Sequence, residues 1–374
     1  MIWPADTLHS PVDGRTLHAD TPHSLAAGER WPVIDGIPFL RADRRALANA
    51  ALAALDGGDP EHALMLLLGD QDGWARTPPP SESDRLAVIR DPSLSFRAAM
   101  ELLAFGPVAT YFAHRWSDPT FLSGLALAEA HWTEPSTVFE LACGAGHFLR
   151  EFARAAPVVA GGDVVFAKLW LARRYVAPSA LLVCFDAAQR WPLPDGWADI
   201  VFCHDAFYFL PDKPFVAAEM QRAGRIILVG HAHNALTDNL SSGSPLSPNA
   251  YAALFGTPLL YDDRELTHAL IEARAPRPVP ADALASAPAI ALAQGATPRQ
   301  VTDRLAMPTP GKALRRNPLY QGGAIVWPSE RYATEYGPLA TYPAHTDAPE
   351  YAIASPDTAA AARRRILVDL PAQW

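Results

Sequence analysis

Residues 140–149 read Glu-Leu-Ala-Cys-Gly-Ala-Gly-His-Phe-Leu and mark the start of a sheet. The apolar run at 137–142 predicts a strand, and the residues after the glycines, through Arg154, predict a helix. Gly144 and Gly146, at alternate positions, let the backbone of a strand-to-helix turn approach a ligand closely. The segment therefore predicts a ligand-binding turn at the end of a strand.

Short apolar runs recur at helix-length intervals after this turn. They lie at 158–163, 180–186, 198–203 and 225–231. Strands that alternate with helices in this way are typical of a parallel sheet. The predicted fold class is α/β, with a doubly wound, mostly parallel, Rossmann-like sheet.

The rest of the chain divides around this sheet into further predicted parts. The four parts are a small β module at 1–45, a helical region at 46–105, the sheet domain at 106–236 and a C-terminal cap at 237–374. In the module, residues 31–40 predict two short strands about an Asp-Gly turn. The cap contains a helix-like pattern at 281–294 and an aromatic-rich end. It either covers an acceptor pocket or forms a subunit interface in a homo-oligomer.

Composition excludes several classes of protein. The chain has 49% hydrophobic and 19% charged residues, which excludes disorder and a coiled coil. Its net charge of −9, without a basic run, disfavours nucleic acid as a partner. No apolar stretch is long enough for a membrane span, and the start does not resemble a signal peptide. Three cysteines, an odd number without metal-type spacing, favour a reducing cytoplasm.

The glycine turn distinguishes between two classes of cofactor. A dinucleotide fingerprint would need a third glycine where this chain has Leu149, which disfavours a nicotinamide-dependent oxidoreductase. The acid Glu140, four residues before Gly144, instead resembles motif I of the class I S-adenosylmethionine-dependent methyltransferases. In that family the loop carries the amino-acid end of the cofactor.

Further elements of that family follow in order. Asp163 ends the second strand and resembles the carboxylate that accepts both ribose hydroxyl protons. Asp186 and Ala187 end the third strand and resemble the acid and its neighbour beside the adenine. The fourth strand, 198–203, resembles the family's next strand and delivers His204 to the same edge. The resemblance implies S-adenosylmethionine as cofactor, with S-adenosylhomocysteine as product.

A helix before the first strand carries two more candidates for the cofactor site. Tyr111 and Arg115 lie on it, and enzymes of this class often close the cofactor pocket with such a helix. Arg115 is suited to pair with the methionine carboxylate. The alternative is an aromatic helix packed in the core, with Arg115 in a structural salt bridge.

Polar side chains at two neighbouring strand ends are the candidates for catalysis. Parallel strands bring their carboxyl ends to one edge, where open α/β sheets bind ligands. The predicted catalytic residues are His204, Asp205, His231 and His233, and the predicted substrate contacts are Tyr208 and Asn234. A histidine could remove the acceptor's proton. Alternatively, two imidazoles and a carboxylate could bind a divalent metal that chelates a diol, or the histidines could merely hydrogen-bond the backbone.

The N-terminal module resembles the zinc-ribbon leader of some bacterial methyltransferases. Ser10 and Asp13 stand where that leader has its cysteine pair, so the resemblance implies a hairpin without its metal. We expect no metal site in the chain.

The combined expectation is methyl transfer from S-adenosylmethionine to a small-molecule acceptor through an oxygen, nitrogen or sulfur atom. The two alternatives are a nicotinamide-dependent oxidoreductase on the same type of sheet and a non-catalytic protein with a similar pocket. Competent residues at every cofactor position disfavour the second alternative.

Overall fold

The computed structural model describes residues 2–240 and 243–374. Its strands form a central sheet with smaller antiparallel sheets before and after it. The strands are β1 His18–Thr21, β2 Ser24–Ala27, β3 Glu29–Ile34, β4 Ile37–Pro38, β5 Thr137–Leu141, β6 Val158–Asp163, β7 Leu181–Cys184, β8 Ala198–His204, β9 Gly224–His233, β10 Leu259–Asp262, β11 Ala289–Gln294, β12 Ala313–Arg316, β13 Tyr320–Gln321, β14 Ala324–Ile325, β15 Tyr351–Ile353 and β16 Leu367–Val368. The α-helices are α1 Arg45–Asp56, α2 Pro60–Leu68, α3 Glu82–Arg90, α4 Phe96–Leu102, α5 Pro107–His114, α6 Pro119–Ala130, α7 His147–Phe152, α8 Phe166–Leu171, α9 Lys213–Ala223, α10 Pro248–Leu254, α11 Asp263–Ile271, α12 Glu330–Tyr336 and α13 Ala359–Arg363.

The central sheet has seven strands in the order β10-β11-β9-β8-β5-β6-β7. Neighbours from β9 to β7 pair in parallel. β11 is antiparallel to both β9 and β10, so β11 alone opposes the direction of the other six strands. The predicted fold class, a mostly parallel Rossmann-like sheet, is confirmed.

The expectation of a helix at 281–294 is wrong. A short 3-10 turn at Ala281–Leu284 is followed by the buried strand β11. β11 reads Ala-Ile-Ala-Leu-Ala-Gln, and an apolar run buried on both faces has no periodicity that separates a strand from a helix. The sheet therefore extends beyond residue 236 into the predicted cap, while the four-part division of the chain stays a prediction.

The predicted N-terminal hairpin is confirmed and lies along the edge of the central sheet. β3 and β4 pair antiparallel about Asp35 and Gly36, which both have positive φ. Beyond β4, the backbone N–H of Leu40 donates to the carbonyl of Cys184 at the end of β7, at 2.7 Å. The hairpin thus protects an edge strand from pairing elsewhere. The likeness to a zinc ribbon stays a prediction.

The tail is fixed to the sheet domain by a buried carboxylate and by aromatic packing. Glu129, in α6, accepts from the backbone N–H groups of Thr302, Leu305 and Ala306. In a separate aromatic cluster around α12, the Tyr342 hydroxyl donates to the carbonyl of Ser117 at 3.0 Å. The Tyr342 contact brings the aromatic cluster around α12 against the segment that follows α5.

No helix within residues 2–240 and 243–374 combines the length and the apolar character that crossing a membrane requires.

Buried histidines predict a loss of stability in mild acid. Burial lowers the pKa of His131 to about 4, and burial likewise lowers the pKa of His114 to about 4 and that of His147 to about 3. The unfolded chain binds these protons near pH 6.5, so it gains protons before the folded chain as the pH falls. We expect the stability that these neutral histidines contribute to be complete above pH 6.5. Below pH 6.5 the free energy of unfolding should fall, by about 2 kcal/mol per histidine at pH 5.

Urea unfolding at a series of pH values measures this effect. The variant His131→Gln removes one titrating ring and keeps a side chain able to hydrogen-bond the Tyr261 hydroxyl, which lies 3.0 Å from His131 Nε2. Its stability should fall less steeply below pH 6.5 than that of the parent. Equal slopes would show that His131 is not held neutral by burial.

Candidate functional site

Strained backbone marks the carboxyl edge of the sheet. Ala142, Asp205 and His231 are non-glycine residues with φ of 53°, 55° and 47°. Ala142 follows β5, Asp205 follows β8, and His231 lies near the end of β9. Such conformations cost about 1–3 kcal/mol each and cluster at functional sites. These three lie at the carboxyl edge of the sheet, where open α/β sheets bind ligands.

The glycine turn after β5 has the geometry that its sequence predicts. Gly144 and Gly146 have φ of 53° and 81°, and Gly146 caps the N-terminus of α7. A Cβ at Gly144 would lie 2.9 Å from the Phe112 ring, so α5 packs directly on the turn. The backbone N–H of Gly144 donates to Asp163 Oδ2 at 2.9 Å. Glycine is thus required at 144 by both conformation and space.

The three acids assigned to the cofactor lie at successive strand ends. Asp163 also accepts from the backbone N–H of Val165 at 2.9 Å, and Lys168 Nζ lies 3.8 Å from its Oδ1. Asp186 accepts from the backbone N–H of Ala188 beyond β7, beside the buried Ala187. Both carboxylates keep acceptor capacity for a ligand hydroxyl or amino group.

Glu140 lies in β5 and is buried. Its Oε2 has no hydrogen-bond partner among the residues that the structure describes. Burial raises the pKa of this carboxyl well above its usual range, against the opposing charge of Arg115. A buried carboxyl oxygen without a hydrogen-bond partner is costly, and a bound ligand could supply that partner.

Arg115 forms a structural salt bridge, which is the alternative to its pairing with the methionine carboxylate. Its Nη1 donates to Asp118 Oδ2 at 2.5 Å and to the Thr120 hydroxyl at 2.7 Å. The same nitrogen lies 3.7 Å from Asp205 Oδ2. Contact of Arg115 with the methionine carboxylate stays a prediction.

Asp205 is the centre of the polar cluster. Tyr111 donates its hydroxyl to Oδ2 at 2.7 Å, and Tyr208 donates to Oδ1 at 2.9 Å. Burial opposes ionisation, but the positive charges of His231 and Arg115 lower the pKa of Asp205 to about 2. Asp205 is therefore an ionised carboxylate held by two tyrosines.

His231 differs from a neutral general base. Its Nδ1 lies 2.9 Å from Asp263 Oδ2. Burial favours the neutral ring, but the carboxylates of Asp263 and Asp205 outweigh it and raise the pKa of His231 to about 9. The Asp263 and Asp205 carboxylates thus favour the protonated ring, and removal of the acceptor's proton by His231 stays a prediction.

His204 lies behind the cluster. Its ring occupies the space between Gly124 and Gly230 and packs on Phe148, with centroids 4.8 Å apart. Neither ring nitrogen has a partner in the described part of the chain. Burial, aided by the charge of Arg115, lowers the pKa of His204 to about 3. The ring is neutral and a weak proton acceptor.

His233 and Tyr208 stack face to face, with centroids 4.2 Å apart and planes 8° apart. Burial lowers the pKa of His233, and its Nδ1 is buried without a partner among the described residues.

Asn234 does not fit the predicted contact with a substrate. Its side chain is fully buried, and Nδ2 donates to the carbonyls of Leu284 and Ala287 at 3.0 and 2.9 Å. Its Oδ1 accepts from the backbone N–H of Leu236. The amide is used to hold the loop before β11.

Asp118 and Asp263 belong to the polar cluster, although their sequence context does not predict it. Asp118 precedes Pro119 and caps α6, a pattern that predicts the cap but not its pairing with Arg115. Asp263 begins α11 after β10, and its approach to His231 depends on the unpredicted return of the chain to the sheet.

Comparison with known proteins identifies the central part of the chain. Residues 139–226, under a quarter of the chain, match the family model described as a methyltransferase domain. The chain carries a methyltransferase domain. No curated protein matches the sequence.

Solved structures give distant matches. A putative methyltransferase of Bacillus halodurans is 15% identical with a TM-score of 0.32, over 46% of this chain and 94% of that one. An S-adenosylmethionine-bound amino pentose methyltransferase from Micromonospora echinaspora is 23% identical with a TM-score of 0.28, over 33% and 55%. The cyclase SpnF is 18% identical with a TM-score of 0.35, over 49% and 81%.

S-adenosylmethionine is the cofactor of the methyltransferase domain, and the residues at the strand ends fit it. Its ammonium group can supply the donor that Glu140 Oε2 lacks. The ribose hydroxyls can donate to Asp163, and the adenine amino group to Asp186. These individual contacts stay predictions.

Proposed function

We propose that the protein methylates a small molecule bound at the polar cluster of Asp205, His231 and His233. The observation that carries this proposal is the way α5 joins the two halves of the site. Phe112 packs on the glycine turn, while the adjacent Tyr111 donates to Asp205. One turn of helix therefore contacts both the proposed cofactor site and the proposed acceptor site.

The tail supports an acceptor of small size. Tyr336 of α12 lies with its ring centroid 6.5 Å from that of Tyr111, so the aromatic cluster of the tail packs beside the polar cluster. Tyr111 and Arg115 lie between this cluster and the sheet edge. An acceptor bound beside this aromatic cluster would be enclosed, which suits a small molecule better than a nucleic acid, in agreement with the net charge of −9.

The chain's own residues would position the acceptor and exclude water. When bound, S-adenosylmethionine supplies an electrophilic methyl group on a sulfonium. The acceptor's lone pair would take this methyl group and leave S-adenosylhomocysteine, and the acceptor's proton would pass to solvent or to the cluster of Asp205, His231 and His233. Alignment of donor and acceptor accounts for much of the rate of such a displacement.

Transfer of labelled methyl groups tests the proposal. The full chain should transfer label from S-adenosylmethionine to at least one member of a mixed panel of phenols, amines and thiols, with equimolar S-adenosylhomocysteine formed. Binding of the cofactor without transfer to any class would favour the non-catalytic alternative. Binding of a reduced nicotinamide cofactor, measured by the change in its fluorescence, would favour the oxidoreductase.

The proposal includes a cytoplasmic location. It is supported by the three cysteines, Cys143, Cys184 and Cys203, which are buried thiols rather than disulfides. An assembly of subunits through the C-terminal region stays a prediction.

A further inference from the structure

The polar cluster contains a set of atoms with the composition of a metal site. Asp205, His231 and His233 each offer one ligand atom, and these atoms all lie within 4.8 Å of one another. The side chains of Asp205 and His231 are each 9% exposed. Small side-chain rotations would bring each of the three atoms to roughly 2.0–2.2 Å from a shared divalent ion, the distance at which imidazole and carboxylate bind it.

The surroundings of His231 orient its ring as outer partners do in metal sites. Asp263 holds Nδ1 of His231, which leaves Nε2 as the ring nitrogen available for a ligand. Ligating histidines usually pair their other nitrogen with a carboxylate or carbonyl in this way. The stacked Tyr208 fixes the plane of His233, and the Tyr251 hydroxyl donates to the backbone carbonyl of His233 at 3.1 Å.

One unpartnered buried atom points to a missing ligand at the same place. His233 is only 6% exposed, and its Nδ1 is buried without a hydrogen-bond partner in the described residues. Such atoms are rare in proteins and need an explanation. A bound ion would satisfy this nitrogen.

The balance of fixed charge favours a cation. The carboxylates of Asp118, Asp205 and Asp263 face the guanidinium of Arg115 and the ring of His231, whose proton a bound ion would replace. An additional positive charge would therefore be stabilised by nearby carboxylates.

We propose that Asp205, His231 and His233 bind a divalent transition-metal ion. This departs from the expectation, drawn from the sequence, that the chain holds no metal. Imidazole ligands favour ions such as Zn²⁺, Co²⁺ or Fe²⁺ over Mg²⁺. Three protein ligands leave coordination positions open for acceptor oxygens. That role in catalysis rests on the proposed function, whereas the binding of the ion does not rest on it.

Titration of chelator-treated, tag-free full-length protein with Co²⁺ tests the site. We expect one Co²⁺ per chain by calorimetry, with visible absorption bands, and no comparable binding of Mg²⁺. Asp205→Ala and His233→Ala should each weaken Co²⁺ binding by more than about 100-fold, and Asp263→Asn by about 10–100-fold. The exposed histidine variant His268→Gln should bind like the parent.

Two further measurements keep the outcome clear. Circular dichroism and S-adenosylmethionine binding show whether each variant is folded, and the milder Asp205→Asn or His233→Gln replaces an alanine variant that is not. Absence of saturable Co²⁺ binding, or binding unchanged in folded Asp205 and His233 variants, would overturn the proposal and leave a hydrogen-bonded network. An intense near-ultraviolet thiolate band would place the ion on cysteines and overturn it as well. Methyl transfer by metal-free protein would refute a role in catalysis while leaving the proposed function intact.

Discussion

Replacement of His231 by alanine is expected to lower the turnover of methyl transfer by about 10²–10⁴ and to leave the affinity for S-adenosylmethionine nearly unchanged. His231 lies between Asp263 and Asp205, so its loss leaves two buried carboxylates without the group that joins them. The acceptor site is then disordered, while the glycine turn and Asp163 are untouched. Single-turnover kinetics and calorimetry measure the two quantities separately.

His268→Ala is the matched control for this variant. His268 is an exposed histidine on α11, the helix that begins at Asp263. Its loss should leave turnover at the parent value. A His231 variant that is folded and retains full turnover would exclude this histidine from the reaction, whether as a proton carrier, an orienting group or a ligand.

Replacement of Asp163 by alanine should weaken S-adenosylmethionine binding by about 1.5–3 kcal/mol, roughly 10–150-fold. Two losses combine here. The ribose hydroxyls lose a charged acceptor, and the backbone N–H of Gly144 loses the partner that fixes the turn. Titration calorimetry of the full chain gives the affinity.

Asp195→Ala serves as the comparison for this effect. Asp195 lies before β8 with its side chain 85% exposed, where it contacts Arg222. Its removal should not change cofactor affinity, since exposed ion pairs contribute little. Equal affinities of the Asp163 variant and the parent would remove Asp163 from the cofactor site and would weaken the alignment of Glu140 and Asp186 with it.

Local sequence was sufficient to predict the parallel part of the fold. The glycines and the acids at the ends of β5, β6 and β7 combine conformational demand with chemistry in a few adjacent residues. β8 and β9 pair with His204 opposite Gly230, so the two polar strand ends could be placed together from the alternation of strands and helices.

The remaining contacts depend on residues far apart in the chain. Asp263 reaches His231 because β10 and β11 return to the sheet, and the apolar residues of β11 show no periodicity that separates a strand from a helix. The burial of His204 between Gly124 and Gly230 likewise needs α6 to pack on β9. Residue types at the strand ends were predictable, whereas their protonation and pairing required the packed structure.

The return of β11 to β9 also bears on how the protein folds and on how it can be shortened. β9 is a ten-residue strand, buried over most of its length, and its outer edge stays unpaired until residues 289–294 have been synthesised. Long apolar strands with an open edge promote aggregation, and pairing between distant segments forms slowly. A fragment that ends near residue 236 would keep every motif of the methyltransferase domain and still expose this edge, so insolubility of such a fragment would reflect its missing neighbour rather than a defect in the cofactor site.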